Sequence, residues 1–329
     1  MKYSFIIPVY NRPDEVEELL NSLTRQTVRD FEVILVEDGS DVPCGAVAEA
    51  YTSTLKIRYF YKPNSGPGQT RNFGAMKAQG EYLLILDSDC ILPPDYLKAV
   101  EDALQHDPVD AFGGPDRAHM SFSDMQKAIN YAMTSFFTTG GIRGGEKKLD
   151  RFYPRSFNMG VRADVYNALG GFSKMRFGED IDFSIRILQG GYRCRLFPQA
   201  WVWHKRRTDL KKFFKQVHNF GIARINLYKK YPDSLKGVHL LPAAFTVGVM
   251  MLLLGAAFCW WSLLPIVLFA SVVFVDASSR NKSAKIGLVA VGASFVQLIG
   301  YGTGFLRGWW KRCVRGKDEF SAFAENFYK

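Results

Sequence analysis

The sequence predicts an α/β protein: a mainly parallel sheet flanked by helices, followed by C-terminal transmembrane helices. Three observations predict it. Apolar β-type runs alternate with amphipathic stretches through the first hundred residues, the pattern of a doubly wound sheet. Charge is absent from residues 240–275 (36 residues) and 286–306 (21 residues), while the other 272 residues carry all 74 Asp, Glu, Lys and Arg, about 27 %, a normal soluble value. Polar residues suited to metals and anions follow directly after the apolar runs, where open parallel sheets bind ligands. Disorder, a collagen-like chain and an all-membrane bundle are excluded.

Tyr3–Val9 is the first strand, its apolar run too short for a signal peptide. Asp14–Arg25 is a helix with Val16, Leu19, Leu20 and Leu23 on one face. Phe31–Val36 and Lys56–Tyr61 are the second and third strands. A helix starts near Pro67, where proline suits the first turn. Glu81–Leu86 is the fourth strand and runs into Asp87-Ser88-Asp89. These strands are apolar on both faces, as covering helices require. Beyond residue 110 the regularity fades: a Gly-rich loop over 140–145 holding Arg143, a short helix Asp180–Leu188, a strand Tyr192–Phe197, and an amphipathic helix Asp209–Tyr231. The last, rich in Lys and aromatics, is expected to meet a membrane surface. There are no internal repeats.

As one helix, residues 240–275 would reach about 54 Å, against a hydrocarbon core of about 30 Å. Pro265, behind Cys259-Trp260-Trp261-Ser262, makes this a hairpin with the Trp pair at an interface. The third segment, 286–306, holds Gln297 and many glycines, and its crossing is left open. The loop after the hairpin (Arg280, Lys282 and Lys285 against Asp276) carries +2, and the tail from Arg307 to Lys329 carries +3, of a total of +10. Positive-inside logic puts both on the cytoplasmic side, giving an inner-membrane protein with its N-terminal domain in the cytoplasm. The basic excess, including Lys205-Arg206-Arg207 and Lys211-Lys212, is read as attraction to anionic lipid rather than to nucleic acid, because no helix-turn-helix, zinc finger or RNP-like motif accompanies it. Cys44, Cys90, Cys194, Cys259 and Cys313 are odd in number and form no CxxC, so no disulfide framework or zinc site is expected.

The chemistry lies at the strand ends. Pro8-Val9-Tyr10-Asn11 and Glu37-Asp38-Gly39-Ser40 place an aromatic and a carboxylate where a nucleobase fits. Asn64-Ser65-Gly66-Pro67-Gly68-Gln69-Thr70-Arg71-Asn72 opens a helix whose free N–H groups and Arg71 suit a diphosphate. It is neither a Walker loop nor a GxGxxG fingerprint. Asp87 and Asp89, at i and i+2 of an extended chain, point to one side and suit Mg²⁺ or Mn²⁺; an isolated acidic turn would be the bland alternative. Gly178-Glu179-Asp180-Ile181-Asp182-Phe183 opens a helix with three acids, which also favours the helix dipole. His204, after Trp201-Val202-Trp203, reads equally as a ligand or a packed interface residue.

In order, the motifs PVYN, VEDGS, GPGQTRNFG, LDSD, FNMGVR, LGGF, GEDIDF and a later His resemble family 2 glycosyltransferases of the GT-A fold, over roughly residues 3–230. The resemblance implies a Rossmann-like sheet and contacts from Pro8, Tyr10, Asn11, Asp38 and Arg71 to the nucleotide, with Glu37 and Ser88 in the same set. Glu37 departs from the more usual Asp. It further implies Asp87 and Asp89 as metal ligands for Mg²⁺ or Mn²⁺, His204 near the metal or diphosphate, Asp180 as general base, and Glu179 and Arg143 on the acceptor side. The implied reaction is inverting transfer from a nucleotide-diphosphate sugar to a hydroxyl or phosphate acceptor. The acceptor is expected to be lipid-linked, gathered by Arg143, Lys147 and Lys148. The implied organisation is a cytoplasmic domain over 1–232 (nucleotide half about 1–115, acceptor half about 116–232), membrane helices over 233–306, and a basic tail over 307–329. A sugar-1-phosphate nucleotidyltransferase should carry a Gly-rich basic loop where Asn11-Arg12-Pro13-Asp14 stands, and a non-catalytic scaffold should have lost the paired acids. No QxxRW-type string lies in 190–239, which favours one sugar per encounter.

Overall fold

The computed structural model describes residues 1–119, 121–140, 152–175 and 177–318. Arg143, Lys147, Lys148 and the tail from 319 lie outside them. In chain order come β1 (Tyr3–Val9), α1 (Pro13–Leu23), β2 (Phe31–Asp38), α2 (Gly45–Ala50), β3 (Ile57–Lys62), α3 (Pro67–Lys77), β4 (Tyr82–Leu86), β5 (Cys90–Ile91), α4 (Tyr96–His106), β6 (Ala111–Gly113), β7 (Asp116–Arg117), α5 (Asp124–Thr134) and α6 (Phe136–Thr139). They are followed by β8 (Asn158–Arg162), α7 (Ala163–Ala168), α8 (Glu179–Gln189), β9 (Cys194–Leu196), β10 (Val202–His204), α9 (Leu210–Lys230), α10 (Leu241–Gly255), α11 (Leu264–Asn281) and α12 (Ala284–Trp309).

By packing, the described chain forms two units: residues 1–119 with 152–204, and residues 121–140 with 205–318. The expected boundaries at 232 and 306 do not follow this division. α5 and α9 are built into the unit of apolar helices, because their apolar faces are buried there.

The first unit holds a seven-stranded sheet in the order β3-β2-β1-β4-β8-β6-β9, parallel except for β8, and a three-stranded sheet β5-β10-β7. Alternate residues of each central strand feed opposite cores. Phe5, Ile7, Val33, Leu35, Leu84 and Leu86 pack with the apolar stripes of α1 and α4. Ile6, Ile34, Val36, Leu83 and Ile85 pack with Val165, Tyr166, Phe172, Phe183 and Ile187. Val16, Leu19, Leu20 and Leu23 are fully buried, each contributing about 1.5–3 kcal/mol relative to exposure. The alternating expectation of two covered faces is thus met in side-chain detail.

In the second unit the hairpin is α10, a 3-10 turn at Trp260–Leu263, and α11 with Pro265 in its first turn. Met251, Leu254, Phe258, Trp260, Trp261 and Leu268 on it are exposed, and the two Trp rings stack with centroids 3.9 Å apart. The third segment is one continuous helix of 26 residues, about 39 Å long. Three stretches, Gly237–Gly255, Trp260–Asn281 and Ala284–Val314, are long and apolar enough to cross a membrane. α12 differs from the hairpin in being far more buried within the protein.

Its partner is α9. A Cβ added to Gly304 would stand 1.9 Å from the His218 carbonyl oxygen, and one on Gly221 would stand 2.2 Å from that of Tyr301. The two helices therefore touch backbone to backbone, as small residues permit. The apolar stripe of α9 that the sequence assigns to a membrane surface is an intramolecular contact. Arg206 is likewise not a surface cation: it is 8 % exposed and donates to Asn130 Oδ1 from Nε (3.1 Å) and Nη2 (3.0 Å). At the foot of α11, Asp276 accepts from Tyr131 of α5 (2.7 Å) and Arg280 (3.0 Å).

Candidate active site

The sheet order reverses direction between β1 and β4, so a crevice opens outside their carboxyl ends. β1 delivers Tyr10, Asn11 and Arg12 there, and β4 delivers Asp87, Ser88 and Asp89. Asn11 is left-handed (φ 52°), a conformation asparagine tolerates. Its N–H donates to Ser40 Oγ (2.8 Å) and its Oδ1 accepts from Val42 N–H (2.9 Å), which ties the β1 end to the loop after β2. Pro8 and Tyr10 are half-buried beside it, and Ser88 is buried.

The two acids closing β2 diverge. Glu37 is fully buried and accepts from Ser40 Oγ, Cys44 N–H (2.9 Å) and Tyr59 OH (3.2 Å). Its extra methylene carries the carboxylate into the protein, so Glu37 supports the loop rather than lining the crevice. Asp38 accepts from Ser65 N–H (2.8 Å) and Gly66 N–H (2.9 Å) and pairs with Lys62. Gly39 (φ 74°) permits the approach, since a Cβ there would lie 2.7 Å from Asn64 N. Asp38 thereby fixes the loop that starts α3.

One turn into α3, Arg71 is 4 % exposed. Its Nη2 donates to Asp87 Oδ1 (2.7 Å) and its Nη1 to Glu179 Oε1 (3.1 Å), with Phe172 under the guanidinium at 5.4 Å. Antiparallel pairing of β5 with β10 sets His204 opposite Cys90. His204 Nε2 then lies 3.1 Å from Asp89 Oδ1 and 3.9 Å from Asp87 Oδ2, its ring stacked on Phe157. Two carboxylates after β4 and an imidazole from β10 are a donor set that fits Mg²⁺ or, better, Mn²⁺. Asp89, Cys90 and His204 present ligand atoms within 4.8 Å of one another. Burial and the neighbouring Asp89 push the Cys90 thiol well up, and Mg²⁺ and Mn²⁺ favour oxygen and imidazole donors over a thiol. Its Sγ donates to the Phe157 carbonyl instead (3.4 Å).

α8 opens after Gly178 with Glu179 and Asp180. Asp180 Oδ2 accepts from Arg155 Nε (2.7 Å) and Oδ1 from Ile181 N–H (2.8 Å). Burial would raise this carboxyl, but Arg155 and the helix N–H hold it below the usual carboxylate range. Burial and the Asp180 charge push Glu179 the other way, upward. Neighbouring acids with opposed shifts are the arrangement expected of an acid–base site. Asp182 faces inward, fully buried and paired with Arg186 (3.0 Å).

Of the residues singled out in the sequence, Arg71, Asp87 and Glu179 form one charge network, and His204 links Asp89 to it through Asp87. Glu37 and Asp38 hold the loops after β2 and before α3. Sequence reasoning missed Arg12, whose Nη1 donates to Asp89 Oδ2 (2.7 Å), and Arg155. Arg12 directly follows Asn11 and was findable by position; Arg155 carries no pattern.

The family model described as Glycosyl transferase family 2 matches residues 4–170. An uncharacterised glycosyltransferase of Haemophilus influenzae is 31 % identical over 193 residues, covering 56 % of this chain and 62 % of that one. Matches to the first curated relatives cover from 13 % to 62 % of those proteins, less than two thirds in each case. Among solved structures, the mannosyltransferase PcManGT of Pyrobaculum calidifontis, in complex with GDP-Man and Mn²⁺, superposes with a TM-score of 0.66 at 17 % identity, covering 94 % of this chain and 88 % of that one. TarS 1-349 of S. aureus with UDP-GlcNAc gives 0.50 at 19 % identity, covering 96 % and 93 %. At these identities the two structures speak for the fold.

Proposed function

The chain belongs to glycosyl transferase family 2, and from that premise we propose that it transfers a sugar, with inversion, from a nucleotide-diphosphate sugar to a hydroxyl or phosphate acceptor. One observation carries this reading: Arg71 joins Asp87, which neighbours Asp89 and His204, to Glu179, the residue before Asp180 at the start of α8. Asp180 is ionised and accepts the proton of the acceptor as its oxygen attacks the anomeric carbon. A single displacement needs no covalent sugar–enzyme intermediate, hence no nucleophile. Arg71, buried and already between carboxylates, holds the diphosphate as it departs. Asp87, Asp89 and His204 would hold a divalent metal, which supplies charge neutralisation to the leaving diphosphate. The neighbours with GDP-Man and UDP-GlcNAc bound leave the base open.

We further read the hairpin as an anchor in the inner membrane, with the crevice on the cytoplasmic side and a lipid-linked acceptor. The exposed apolar side chains of α10 and α11 and the basic residues Arg280, Lys282 and Lys285 beside them support this. The test is incubation of the purified protein with Mn²⁺ and a panel of nucleotide sugars, with native lipid extract or water-soluble glycans as acceptor. Transfer into organic-extractable lipid is the expected result. Label entering only aqueous products would refute the lipid acceptor, and no turnover of any nucleotide sugar would refute the activity.

A further inference from the structure

We propose that Arg12 is a resident counter-cation of the metal site, which leaves Asp89 for the donor diphosphate, so that nucleotide and metal load the site cooperatively. This rests on the glycosyltransferase reading of the same crevice. Two carboxylates on one strand end repel each other, and each is matched by a guanidinium at 2.7 Å: Arg71 on Asp87, Arg12 on Asp89. The two arginines differ in freedom. Arg71 is wedged between Asp87, Glu179 and the Phe172 ring, with its side chain 4 % exposed. The Arg12 side chain is 32 % exposed and bridges the switch point to Asp89 from the loop after β1. It occupies Asp89 Oδ2, while Oδ1 faces His204 at 3.1 Å.

A cation drawn to Asp87, Asp89 Oδ1 and His204 therefore meets a carboxylate whose charge Arg12 already offsets from Oδ2. Guanidinium binds phosphate oxygens at least as well as carboxylate, often in a bidentate fork. A diphosphate in the crevice gives Arg12 a second partner and vacates Asp89 Oδ2 in the same event. Linkage makes the effect reciprocal: the factor by which nucleotide tightens metal equals that by which metal tightens nucleotide.

The experiment titrates Mn²⁺ calorimetrically into the whole detergent-solubilised chain and its R12Q and R12K variants, alone and with saturating UDP or GDP. R12Q should bind Mn²⁺ about two- to fivefold more tightly without nucleotide, the scale expected for releasing one partly exposed ion pair. Its nucleotide-induced tightening should shrink, and R12K should stay close to wild type. Unchanged or weaker Mn²⁺ binding by R12Q, with nucleotide still bound, overturns the role of Arg12 alone. Thermal unfolding checks that R12Q is folded. If it is not, the wild-type titration decides, since equal Mn²⁺ affinity with and without nucleotide overturns the coupling. Failure of both UDP and GDP to bind with Mn²⁺ present overturns the glycosyltransferase reading as well.

Discussion

Replacing Asp180 with Asn removes the proposed base while disturbing little else. The amide oxygen can still accept from Ile181 N–H, now 2.8 Å from Oδ1, so the first turn of α8 keeps that bond. What is lost is the charge. Arg155, its side chain 31 % exposed, turns to water, and the helix N-terminus forgoes about 0.3–1 kcal/mol of dipole stabilisation. Stability should therefore fall by about 1–2 kcal/mol at most, well short of unfolding. Turnover should fall by about 10²–10⁴-fold, the usual contribution of a general base, which is about 2.7–5.4 kcal/mol in activation free energy. Initial rates of sugar transfer at saturating donor measure the loss, and a nucleotide titration measures donor affinity, which should stay near wild type because Arg71, Asp87 and Asp89 are untouched. Turnover within about tenfold of wild type, or a loss matched by lost donor affinity, would refute the assignment.

Arg155→Gln should move the acid limb of the kcat profile to higher pH. Arg155 keeps Asp180 ionised below the usual carboxylate range, activity is lost as pH falls through that value, and without it burial raises the group, with Arg71 left as its charged neighbour; an unmoved limb counts against the pair. Asp89→Ala should abolish the part of nucleotide binding that Mn²⁺ stimulates, and equal stimulation in the variant rejects Asp89 as ligand. Gly304→Ala should lower the melting temperature in detergent, as overpacking against the His218 carbonyl costs about 1–3 kcal/mol. Gly248→Ala on α10, with nothing within 4 Å of its Cβ, is the control and should not.

Strand order through Leu86 was legible because it is local: continuous apolar runs closed by turns, with Val16, Leu19, Leu20 and Leu23 at helical spacing between them, whereas the six-residue α2 went unread. The strand-end position of Asp87 and Asp89 followed from the same pattern. His204 reaches them through a two-residue antiparallel pairing of β10 with β5, too short to leave a periodic trace. The inward turn of Glu37 depends on where Cys44 and Tyr59 fall in three dimensions. Hydropathy found the third apolar segment but not its burial, because a helix packed on Gly221 and Val217 and one facing lipid want the same composition.

The interrupted second unit has a consequence in time. α5 ends at Thr134 and α12 begins at Ala284. At a synthesis rate of about 5–20 residues per second, the ribosome needs about 8–30 s to make the chain between them. Over that interval Ala128, Ile129, Ala132 and Met133, which end up packed in a cluster with Ala290 and Ala293, wait without their final partners. Truncation after residue 232 would make that wait permanent. The unit that carries the crevice, residues 1–119 with 152–204, holds none of these apolar helices.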